Sequence, residues 1–259
     1  MVMPSPFQRM LQQTGELANK QPDAAWERFD ELSGKVSSPT ELMHLAGFIA
    51  NLGAAVLKRD APTVERLEGL LTHPHVDPTT RRSVLRAMAV VLYCAGEEER
   101  ASRCREEGVT NATEQCRLAI MTAQTLVARQ QTHAAVPHLK RCAALVQELA
   151  ADDDIVVQVA NIGANVLRLA ERQAVRAREL LLAASGAVQE SMGRHPDWRQ
   201  QHMGLFQRAK AQLHAGNPTQ ALNGVQAMMR LENEHDADAF FRFQSAALAC
   251  RGQLLRGQV

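Results

Sequence analysis

Four groups of residues in this chain have types and spacings that could do chemistry. His73-Pro74-His75-Val76-Asp77 alternates two imidazoles and ends on a carboxylate. Alternate histidines hold a metal well when a strand points both rings one way, and a metal site needs further ligands besides. No strand signal surrounds this stretch, so it reads as an interhelix loop with Asp77 or Thr79 as the cap of the next helix. Glu232-Asn233-Glu234-His235-Asp236-Ala237-Asp238 is acidic with one histidine. A hard cation could use it, but the calcium-loop pattern with its central glycine is missing. It reads as a solvated loop supplying a helix cap. Cys94, Cys104 and Cys116 could converge if consecutive helices pack together, yet zinc ligands usually fall two to four residues apart. All five cysteines read as reduced and mostly buried. Arg168, Arg172, Arg176 and Arg178 could form an anion patch for phosphate or an acidic peptide. Glu171 and Glu179 lie among them, so a salt-bridged surface is the competing reading. Phosphate-loop, dinucleotide, Gly-x-Ser-x-Gly and His-Glu-x-x-His motifs are all missing from the sequence. The sequence therefore offers no catalytic set, no cofactor site and no metal site, and the expectation is a protein that is not an enzyme.

Composition points the same way. The chain has 259 residues, 46% hydrophobic and 22% charged, which suits a folded chain with a sizeable core. Its net charge of +1 gives no general attraction to nucleic acid or acidic lipid. No signal peptide is evident at Met1-Val2-Met3-Pro4, and no apolar run reads as long enough to span a membrane. The expected location is the cytoplasm. Aromatic residues make up only 4%, and Tyr93 is the single one between Ala50 and Pro196. A core of Ala, Val and Leu suits helices that approach closely. Strand alternation and Asn-Gly hairpin signals are missing.

The elements that must position these residues are helices in pairs. The period-3.6 pattern and the breakers predict hairpins near 5–33, 40–72, 79–108, 112–150, 154–192 and 197–231, then a last helix over 236–256. In the first, Pro22 ends one helix, and Asp23 caps another that carries Trp26, Phe29 and Leu32. Thr40 caps a long helix running to about Lys58. Pro62 and Pro137 sit early in second helices, where the first turn tolerates a missing N–H. The fifth pair is the least defined, with no Gly or Pro between Ala164 and Ser185. A turn near Glu171–Gln173 is expected there, against one long helix. Trp26, Phe29, Phe240, Phe241 and Phe243 lie in the terminal pairs and read as capping material for the core, with an exposed self-association patch as the rival.

One phrase recurs. Leu85, Met88-Ala89 and Leu92 are followed by Gly96 and Ala101; Ile49, Leu52-Gly53 and Val56 match it, as do Val159, Ile162-Gly163 and Val166. A large apolar residue, an apolar–small pair and another large residue resemble the first half of the tetratricopeptide repeat. The small positions Gly53, Ala89, Ala123, Gly163 and Ala209 are separated by 36, 34, 40 and 46 residues. The resemblance implies an all-α, right-handed α-solenoid of about five or six antiparallel helical hairpins in a single domain.

The resemblance also implies a function: a scaffold or adaptor that binds a peptide or helix of a partner protein in a concave groove. A peptide-sensing regulatory module of a bacterial signalling system is the alternative, and an enzyme of unrecognised type is the least favoured third reading. In that family the first helix of each pair lines the groove. Carried onto this sequence, the lining residues are Arg86, Val90 and Tyr93; Ile120, Gln124 and Val127; Ala160, Ala164 and Leu167; and Phe206, Lys210 and Leu213. The implied occupant is a mixed apolar–acidic segment of a protein, not nucleic acid and not a membrane.

Overall fold

The computed structural model describes residues 5–149 and 195–257, apart from Ala215. Every regular element among them is a helix. The fifth hairpin, with Gly163 and the turn expected near Glu171–Gln173, lies outside the described residues. The sequence reads as one domain. The chain divides into two compact units, Met1–Asn111 and Ala112–Val259, with the boundary in the loop between two hairpins.

In the first unit, α1 (Pro6–Ala18) starts from a capping box in which Ser5 Oγ accepts from Gln8 N–H and Gln8 Oε1 accepts from Ser5 N–H. The helix expected over Trp26, Phe29 and Leu32 is two short helices, α2 (Pro22–Glu27) and α3 (Phe29–Ser33), broken at Arg28. Pro22 opens α2 instead of closing α1, because its fixed φ suits a first helical position. Helix α4 (Pro39–Ala50) is capped by Ser38, whose Oγ accepts from Glu41 N–H, and not by Thr40. It continues as a π-helical segment, Asn51–Leu57, ending at Lys58 in the left-handed region. Each wider π turn rotates the residues beyond it about the helix axis, so Val56, expected inside, is 53% exposed. Together Pro39–Leu57 is a 19-residue helix with a stretch of mean hydropathy 1.3, long and apolar enough to cross a membrane by composition, contrary to the sequence reading. Half of that stretch is buried within the protein, with Leu42, Leu45 and Ile49 in the core.

Helices α5 (Asp60–Leu70), α6 (Pro78–Ala95) and α7 (Glu98–Gly108) complete the unit. Helix α6 packs on α4, α5 and α7 and is buried along Val84, Leu85, Ala87–Leu92 and Cys94. Asp77 caps it through Thr80 N–H at 2.6 Å. The expected close approach is present at Gly53. A Cβ there would fall on Thr63 Oγ1 and lie 2.7 Å from Trp26 Cζ3.

In the second unit, α8 (Ala112–Ala128) packs on α9 (Thr132–Glu148). Pro137 sits inside α9, beyond the first turn in which the sequence places it. Further along, α10 (Trp198–His214), α11 (Pro218–Glu234) and α12 (Ala239–Gly257) pack on one another around Ala209, Leu213, Ala221, Val225, Met228 and Leu248.

Three pairs close the same way. Seven residues after Ala89, Ala123 and Ala209 stand Gly96, Gln130 and Gly216, all with positive φ. In each, an N–H group beyond the turn reaches back onto the helix end: Glu97 to Leu92 O at 2.9 Å, Gln131 to Leu126 O at 2.8 Å and Asn217 to Gln212 O at 2.9 Å. This is the closing geometry that satisfies the last carbonyls of a helix. Twelve residues after the small position come Ala101, Ala135 and Ala221, all buried. In the π-ended pair the left-handed residue comes two positions sooner, at Lys58, five residues after Gly53, and buried Thr63 takes the place of the alanine ten residues after Gly53.

Candidate partner-binding surface

The residues carried over as groove lining separate into two sets. Val90, Ile120, Val127 and Leu213 are buried, at most 4% exposed, so they pack the protein's own core and offer a partner nothing. The cause is helix periodicity: at these positions the apolar side chains fall on the face that meets a neighbouring helix. Arg86, Tyr93, Gln124, Phe206 and Lys210 are half-buried. Arg86 Nη1 donates to Gly108 O at 2.8 Å, which holds the end of α7 against α6. Tyr93 packs on the core of the first unit and Phe206 on that of α10–α12. Ala160, Ala164 and Leu167, and the arginines Arg168, Arg172, Arg176 and Arg178, lie outside the described residues.

A different recess is present, between α10 and α11. Its volume is about 370 Å³. Leu205, Ala209, Gly224 and Ala227 form its apolar lining, and Arg208, Gln212, Gln220 and Asn223 its polar one. Small residues create the depth. A Cβ on Gly224 would approach Ala209 Cβ to 3.3 Å, so the two helices nearly touch at that point. Side-chain amides beside an apolar lining can hydrogen-bond peptide groups.

The remaining sequence candidates fall elsewhere. His75 N–H donates to His73 Nδ1 at 3.3 Å, and the rings stand 5.5 Å apart in the loop before α6. Hydrogen bonding from Thr80, its backbone N–H first, holds the Asp77 carboxyl below its usual pKa, as suits a cap. Cys116 meets Cys142: the sulfurs of α8 and α9 are 3.4 Å apart and buried. The Cys116 contact and burial push the Cys142 thiol up.

Sequence reasoning missed one constellation. His202 on α10, Glu232 on α11 and Ser245 on α12 meet in the interior, although the sequence reads Glu232 as part of a solvated loop. His202 Nε2 is 2.8 Å from Glu232 Oε1, and Ser245 Oγ donates to the same carboxylate oxygen. Ser245 Oγ also lies 3.4 Å from Nε2. A hydrolytic relay needs serine on one ring nitrogen and the acid on the other. Here both partners share Nε2, Nδ1 is buried without a hydrogen bond, and Ser245 is 1% exposed. The cluster fastens three helices. Trp198 and Phe241 pack on His202, and His235 stacks on Trp198 at 5.2 Å. The available signal was helical continuity: Glu232 lies four residues after buried Met228, on the inner face of α11.

No protein-family model matches the chain, and no curated protein matches it.

Proposed function

We propose that the chain is a non-catalytic scaffold or adaptor, built as a tetratricopeptide-like right-handed α-solenoid, that binds an extended peptide or helix of a partner protein. The recess between α10 and α11 carries this reading. In this reading it replaces the first-helix surface as the binding site, because Val90, Ile120, Val127 and Leu213 of that surface are core residues. Gln220 and Asn223 line the recess and are exposed, so their amides can hydrogen-bond peptide groups of a partner. The cytoplasm is the proposed location. The equal register of the closing turns after Ala89, Ala123 and Ala209 supports the repeat reading.

The test is affinity capture from the native cell with mass spectrometry, using the unaltered chain and a Gln220→Ala, Asn223→Ala double variant. Neither side chain is buried, so helicity should be unchanged. The reading expects a protein retained by the first and lost by the second. Equal retention by both rules the recess out as the binding site.

A further inference from the structure

The outer face of α12 carries an apolar row that the described residues leave open. Phe240, Phe243, Ala247, Cys250 and Leu254 follow one another at intervals of three, four, three and four residues along this face. Phe240 is 61% exposed, Phe243 72% and Leu254 68%. The opposite face of the same helix is satisfied, with Ser245, Leu248 and Gly252 buried. A three–four alternation is the seam along which two helices pack. From Phe240 to Leu254 it runs about 21 Å at 1.5 Å per residue.

Charge and size along the row choose the occupant. Helix α12 carries Arg242, Arg251 and Arg256 and no acidic residue. The acids Asp236 and Asp238 stand just before its N-terminus, Asp236 paired with Arg242 at 3.4 Å and Asp238 capping the helix through Oδ1. Arg251 and Arg256, near the other end, hold no ion pair among the described residues. The row is also large at its ends and small in its middle, at Ala247 and Cys250. Such a surface is complementary to itself when reversed.

We propose that α12 pairs with α12 of a second copy, antiparallel, about a two-fold axis between Ala247 and Cys250. In that arrangement Ala247 meets Cys250 of the second copy, and the small pair lets the helices approach. Phe243 meets Leu254 of the second copy. The Arg251 and Arg256 end of each helix faces the Asp236 and Asp238 end of the other. A parallel pair would instead set Arg251 against Arg251 and align the two helix dipoles. The contact is isologous, as in most homodimers, and a single helix pair places it at the small end of stable interfaces.

The experiment uses the full chain. Sedimentation velocity over roughly a hundredfold range of concentration should show a monomer giving way to a dimer, as expected for a small interface. Phe243→Arg should keep helicity and melting temperature and remain monomeric throughout. Cys250, exposed at the seam, should join two unaltered chains through a short bis-maleimide. Orientation is read with Leu254→Cys in a Cys250→Ser background. Antiparallel helices separate those two thiols by about 17 Å along the axis, so this protein should not cross-link to itself. Mixed with Phe243→Cys in the same background, it should. A monomer at every concentration, a dimer indifferent to Phe243→Arg, or self-cross-linking of the Leu254→Cys protein each overturns the proposal. The first of these leaves the row to another protein.

Discussion

Two aromatic clusters near the two ends of the sequence look alike in composition and behave oppositely. Trp26 and Phe29 are buried, at 4% and 8% exposure. Arg66 of α5 lies over both rings, 4.0 and 4.8 Å from their centres, and its Nη1 donates to Trp26 O at 2.6 Å. Gly53 clears the space against Trp26. Among the described residues nothing covers Phe240 and Phe243 in this way, and Phe241 turns inward, toward His202 and Trp198. The capping role expected of all five aromatics therefore holds for Trp26 and Phe29 and fails for Phe240 and Phe243. Aromatic enrichment marks where large apolar surface is placed. Whether that surface seals a core depends on which other element supplies a lid, and among the described residues only the first cluster has one.

The largest effect should come from removing the sealed cluster. Trp26→Ala should destabilise by about 3–5 kcal/mol in urea unfolding, since it empties a buried site and strips Arg66 of its ring. Overfilling the tight contacts should cost less. Gly53→Ala drives a methyl onto Thr63, and Ala89→Leu overfills a fully buried position of α6. Each should cost about 1–3 kcal/mol, and an unchanged melting temperature in either would break the packing register.

The lidded unit should also carry a specific acid sensitivity. Burial alone would raise the Glu41 carboxyl, but hydrogen bonds from Ser5 Oγ and from Ser37 N–H and Oγ outweigh it and hold the group below its usual value. A carboxyl lowered in the folded state stabilises above its ordinary pKa, about 4.5, and that contribution disappears as pH falls through the folded value. Glu41→Gln should flatten the loss of stability below about pH 4.5 relative to the parent. Parallel curves would show that Glu41 is not part of it.

Smaller changes are expected at two exposed places. Gln130 closes its hairpin at φ 65°, where a side chain is strained. Gln130→Gly should stabilise by up to about 1 kcal/mol, measurable as a raised melting temperature. Phe243→Ala should change monomer stability by no more than about 0.5 kcal/mol, which sets the open cluster against Trp26 most sharply.

Much of the helical order was legible. Gly and Pro punctuation at Pro39, Pro78, Gly96, Gly216 and Pro218 marks helix ends that the structure places within a residue or two. The small residues at Gly53, Ala89 and Ala209 lie at close or buried contacts because their size has no other use on a helix face. The π-helical segment was not legible: nothing in Asn51–Leu57 announces a change of hydrogen-bond register, and the expectation for Val56 fails with it. Which faces of the first helices are buried was less legible. The carried-over positions assume a constant rotation of each first helix, whereas Val90, Ile120, Val127 and Leu213 are claimed by neighbouring helices. The meeting of His202, Glu232 and Ser245 was hidden because it joins three helices across 43 residues of sequence.

A partner that binds where α10 and α11 leave a recess, and not along the first helix of each pair, can be sought directly by isothermal titration. The titrant is the partner segment recovered by capture. The three proteins are the unaltered chain, Gln220→Ala with Asn223→Ala, and Arg86→Ala with Tyr93→Ala. The first and third should bind with similar affinity, and the second at least about tenfold more weakly, a loss of about 1.4 kcal/mol. Full affinity in the recess variant together with loss in the Arg86 and Tyr93 variant would contradict the assignment of the recess.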